Sequence, residues 1–145
     1  MTRPPAGPVT PLWLAHHYPE DYDRCVAIGS RHVCRRCLVL YPLAFAVMTL
    51  GLAGVHWPAA LDPLLLWLTP LPAVVEFILE HVGALAHRPR RQVLLTIPLA
   101  IGLGRGFTRY LADPTDLLFW SVVGAYGGLC VAAAFLGGRL RRPSI

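Results

Sequence analysis

Lysine and asparagine are absent from the 145 residues, and charged side chains make up only 14% of them. So little charge, with 55% hydrophobic residues and a mean hydropathy of +0.53, excludes an ordinary water-soluble domain. Amphipathic periodicity is missing too: apolar residues arrive in long charge-free blocks that leave no polar face for water. The opening Met1-Thr2-Arg3-Pro4-Pro5 leads into no apolar h-region, so a cleavable secretory signal is not expected. No G-x-S-x-G, H-E-x-x-H or phosphate-binding glycine loop occurs, which removes support for the motif-bearing hydrolases. The formal net charge of +5 rests on arginine alone. No recognition motif accompanies it, so no nucleic-acid partner is expected.

The blocks themselves predict an all-α integral membrane protein, since about 20 apolar residues cross a hydrocarbon core of about 30 Å. Four transmembrane helices are expected at about 38–57, 61–79, 92–112 and 117–136. They follow a cytoplasmic segment of residues 1–37 that carries a Cys/His cluster, and they precede a basic tail, 137–145. Pro63, Pro70 and Pro72 should kink the second span, and Arg105, Arg109 and Pro98 make the third the least apolar. Five Arg precede the first span, three lie between the second and third, and three follow the fourth. The positive-inside rule therefore places both termini in the cytoplasm of a bacterial or archaeal cell membrane. Gly102-x-x-x-Gly106 and Gly124-x-x-x-Gly128 suggest a tight hairpin of the last two spans, with a homo-oligomer as the other use of such pairs.

Three of the four Cys and three of the six His fall between His16 and Cys37, just before the first span. Zn²⁺ prefers four thiolate or imidazole ligands, and Cys34-Arg35-Arg36-Cys37 can supply two of them from one turn. His17 and Cys25 complete the expected set, with His16 or His32 as substitutes. Two readings compete with zinc. Cys37, near a helix start and beside two Arg, could form a dithiol pair with Cys34, or the thiols could be inert and reduced. Cys130, inside the fourth span, reads as a packing residue.

The run from His17 through Arg24 to Cys34, Arg36, Cys37 and Tyr41 resembles an uncharacterised family of small prokaryotic membrane proteins, whose pattern is Cys-His, Arg-Ser, Cys-Ala-Arg-Cys and Gly-Ile-Tyr. His16 stands where that family has Cys, while Cys25 and Leu40 depart from it. More weakly, the resemblance extends through the second and third spans, where the family has an Asp at about Glu76 and an Arg after the central loop. It implies a membrane fold and a Cys/His site without naming a reaction.

Ionisable groups in or beside the spans are the remaining candidates. Glu76, Glu80 and His87 share a stripe if the second helix continues to Arg88, and could handle protons or support the metal from behind. Arg105 sits about 10 Å from the outer end of the third span, in snorkelling reach, and with Arg109 could contact an anion or lipid phosphate; Asp113 and Asp116 are the expected carboxylate partners. The reading with fewest assumptions is a binding or accessory membrane protein with a structural zinc site. It would meet the lipid bilayer and a membrane or cytoplasmic protein partner. A thiol redox enzyme or a metal-dependent hydrolase using Glu76 or Glu80 is the alternative, and a small oligomeric transporter is the second.

Overall fold

The protein is seen as a computed structural model that describes residues 10–15 and 19–140. It is mostly helical, but the segment before the first long helix is not simply a coil. After α1 (Leu12–Ala15) and a 3₁₀ turn (Pro19–Arg24), an antiparallel hairpin pairs β1 (Cys25–Ile28) with β2 (Arg31–Cys34). Gly29 makes this possible, because its φ of +60° supplies the left-handed first position of a two-residue hairpin turn. The all-α expectation is corrected to that extent.

Four helical segments follow: α2 (Arg35–Leu52), a broken pair α3 (Asp62–Leu68) and α4 (Leu71–His81), α5 (Pro89–Ala112) and α6 (Leu117–Leu140). Three of the stretches, Arg35–Leu52, Ala59–His81 and Leu117–Gly137, are long and apolar enough to cross a membrane. The break between α3 and α4 is the kink read from Pro70 and Pro72, bridged by Thr69, whose amide and hydroxyl both donate to the Leu65 carbonyl. α4 ends at His81 instead of continuing to Arg88. Gly83 takes φ +80° just beyond it, and Ala84 N–H closes back on the Leu79 carbonyl, a left-handed helix stop.

α5 has 24 residues, is the least apolar long helix and buries one side within the protein. Gln92, Thr96, Ala100, Gly104 and Thr108, four residues apart, form a buried stripe. The Thr96 and Thr108 hydroxyls donate to carbonyls one turn back, so this stripe presents no unpaired hydroxyl to its neighbour. α2 lies along it, and α4 packs against α6.

The expected tight hairpin of α5 on α6 is not formed. Gly102 abuts Thr69 and Gly106 meets Phe119, whereas Gly124 and Gly128 face open space. An apolar cleft of about 240 Å³ lies between α3, α5 and α6 instead. α2 and α5 approach closely at Gly104, where a Cβ would lie 2.5 Å from the Ala44 carbonyl oxygen and 2.7 Å from Val47 Cβ. Gly104→Ala should therefore cost about 1–3 kcal/mol in thermal unfolding in detergent. Gly128→Ala should cost nothing; equal losses at the two sites would show that α2 and α5 are not held by this contact.

Candidate functional site

The hairpin brings the three N-terminal thiols together. Cys25 and Cys34 are direct partners across it and both are buried. Cys34 ends β2, so the C-x-x-C straddles a strand end and the first turn of α2, and Cys37 shares a side-chain hydrogen bond with Cys34. The Cys25 thiol donates to the Ala15 carbonyl at 3.6 Å, with Ala15 fully buried. All four cysteines are free of disulfides. His16 and His17 follow Ala15 directly in the sequence but lie outside the described residues.

His32 sits on the same strand face as Cys34, two residues away. Its ring stacks on Tyr22 at 4.1 Å between centroids, and its amide donates to Thr10 Oγ1 at 2.8 Å. Its Nδ1 atom is buried with no hydrogen-bond partner among the described residues. Among the described residues no group of three or more His, Cys, Asp and Glu side chains is arranged to hold a metal ion. Cys25, Cys34 and Cys37 lie near one another here, with His32 on the same strand face as Cys34.

The two Arg between Cys34 and Cys37 point their guanidinium groups to other acceptors. Arg35 donates to the Cys25 carbonyl at 3.1 Å, and Arg36 reaches Glu76 on α4 at 2.9 Å while lying over the Phe77 ring. Arg24, just before Cys25, pairs with Glu80 at 3.3 Å. Arg91 from α5 bridges both carboxylates, at 2.8 Å to Glu76 and 3.0 Å to Glu80. His87 Nδ1 lies 3.4 Å from a Glu80 oxygen, and its Nε2 is buried without a partner among the described residues. Glu76, Glu80 and His87 thus do converge, but the turn after α4 folds His87 back; no continuous helical stripe does it. Sequence reasoning missed Arg24, Arg36 and Arg91 as their partners, having assigned these Arg to topology.

At the other end of the bundle Arg105 and Arg109 meet Asp62, a residue the sequence reading passed over. Asp62 is fully buried and accepts two parallel bonds from Arg105, at 2.9 and 2.8 Å, one from Arg109 at 2.8 Å and one from Trp57 Nε1 at 2.7 Å. Arg109 also pairs with Asp116, as expected. That hydrogen bond holds the Asp116 carboxyl below its ordinary pKa, and Asp116 in turn caps α6 through the Phe119 amide at 2.7 Å. Asp113 is held low by the Thr115 hydroxyl and amide, apart from Arg105. An anion or lipid phosphate at Arg105 would have to displace Asp62. The signal that could have found Asp62 is plain: it is the only charged residue between Leu38 and Val75. Searches for relatives give no guide to this site: no family model matches the chain, and neither a curated protein nor a solved structure matches it significantly.

Proposed function

We propose that the chain is a four-span membrane protein with both termini in the cytoplasm, and that its hairpin is a zinc-stabilised cap serving a binding or accessory role. α5 supplies the remaining span: at 24 residues it reaches about 36 Å, and its polar stripe is covered by α2. The charged groups fall in two layers, Arg91 with Glu76 and Glu80 at one end and Arg105 with Asp62 at the other. They are about 21 Å apart along α5, with apolar helix surface between them. Arginine outside the spans is concentrated at the hairpin end, which supports a cytoplasmic hairpin. There thiols stay reduced.

The observation that carries the metal reading is the meeting of Cys25, Cys34 and Cys37, beside His32 with its orphaned Nδ1. Those thiols and one imidazole, from His17, His16 or His32, make a four-coordinate N/S set. Bound zinc would tie β1, β2 and α2 together, a useful constraint for a segment with so small a core. Detergent-purified protein should carry about one zinc per chain. Cys34→Ser should remove it, and Cys130→Ser should not. The contact between Cys34 and Cys37 favours a redox enzyme as the second reading. Metal-free protein whose Cys34 and Cys37 cycle between dithiol and disulfide near cytosolic potentials would put that reading in place of zinc.

A further inference from the structure

Apart from Arg31 on the hairpin itself, six arginines at this end of the bundle divide into two groups. Arg24, Arg36 and Arg91 point inward and are consumed by Glu76 and Glu80. Arg88 and Arg90 are exposed and make no ion pair among the described residues, and Arg35 spends only one nitrogen, on the Cys25 carbonyl. These three surround the start of α5, where two adjoining depressions share Pro89, Arg90 and Leu94. One, of about 600 Å³, is completed by Arg88, Arg91 and Leu95, and the other, of about 430 Å³, by Arg35 and Val93.

Each depression has a cationic rim and an apolar floor. Leu94 is 64% exposed and Ile97, one turn further along α5, is 38% exposed, so the floor continues down the helix away from the arginines. The rim therefore calls for negative charge, and the floor calls for hydrocarbon running in the direction of the bundle's long axis. A soluble acidic protein would satisfy the first and leave Leu94 bare. Free phosphate would do the same. Only an amphiphile answers both, and the start of α5 adds N–H groups with no intrahelical acceptor and no side-chain cap.

We infer that the start of α5 is a binding site for an anionic phospholipid, with the headgroup phosphate held by Arg88, Arg90 and Arg35 and an acyl chain lying along Val93, Leu94 and Ile97. This rests on the membrane-spanning reading above, and basic pockets at the cytoplasmic ends of spanning helices recognise anionic headgroups in this way.

The test uses the full chain in lipid nanodiscs, with retained lipid counted by native mass spectrometry. Wild-type protein should hold phosphatidylglycerol in clear preference to phosphatidylcholine. The double variant R88Q/R90Q should lose roughly 25-fold in affinity, about fivefold per arginine, with an unchanged melting midpoint. Arg31→Gln, which removes an exposed charge on the hairpin, should leave retention within twofold of wild type. Equal retention of the two lipids would overturn the site. So would an equal loss with Arg31→Gln, or displacement of the lipid by inorganic phosphate alone. Failure of the protein to enter nanodiscs at all would instead overturn the membrane reading on which the site rests.

Discussion

Asp62→Asn should destabilise the protein by roughly 3–5 kcal/mol, the cost of leaving a buried charge without its partner. The side chain is fully buried and is the common acceptor for Arg105 and Arg109, so its neutralisation leaves Arg109 with Asp116 and Arg105 with no carboxylate partner among the described residues. Arg105 suffers more, being 7% exposed at its side chain and held by Asp62 in a two-pronged pair. Asn preserves the shape and can still accept from Trp57, which isolates charge from packing. Unfolding in detergent followed by a tryptophan signal would measure the loss. Adding Arg105→Met to Asp62→Leu should recover part of it, because an apolar pair no longer buries a lone charge. A loss below 1 kcal/mol for Asp62→Asn would mean that Asp62 does not anchor α3 to α5.

The long helices were legible because hydrocarbon-crossing segments announce themselves by charge depletion. The ends of α5 and α6 fall within a few residues of the breaks at Arg91, Ala112 and Leu117. Legible too was the kink at Pro70, since a proline ring cannot continue the hydrogen-bond ladder of the preceding turn. The hairpin was readable but unread: Cys25-Val26-Ala27-Ile28, Gly29-Ser30, then Arg31-His32-Val33-Cys34 is two short runs around a glycine-led turn. The strand pattern runs through the same residues that make up the Cys/His cluster.

What the sequence could not supply was which helix faces meet. Gly102 and Gly106 on α5 meet different neighbours, Thr69 and Phe119, while the matching pair on α6 meets nothing among the described residues. Small-residue spacing says that a close approach is possible and leaves the partner open. The same ambiguity governed Arg105. Length arguments placed Arg105 near the outer end of its span and nominated the loop acids, of which Asp116 reaches only Arg109. The residue that meets Arg105 enters from the start of α3, a position set by the chain's return through Trp57 and the turn at Ala59–Leu61.

Glu76→Gln tests whether the thiol hairpin is seated on the ion-pair cluster. Glu76 is buried and holds Arg36 and Arg91, and Arg36 lies between Cys34 and Cys37 in the chain. Its carboxylate therefore pins the first turn of α2 to α4. Gln keeps the volume and one acceptor oxygen but removes the charge, leaving Glu80 to neutralise Arg24, Arg36 and Arg91 alone. A stability loss of roughly 3–5 kcal/mol is expected for breaking such a buried pair. Labelling of Cys34 and Cys37 by an aqueous thiol reagent should also rise about tenfold or more, the factor given by 1.4 kcal/mol in a local opening. Asp62→Asn is the matched control. It disrupts the other charged layer, about 21 Å away along α5, and sites so far apart without shared partners act independently. Compared at equal fraction folded, Asp62→Asn should leave the labelling rate at its wild-type value. Unchanged labelling in Glu76→Gln, or the same increase in both variants, would show that the hairpin does not depend on Glu76 for its seat.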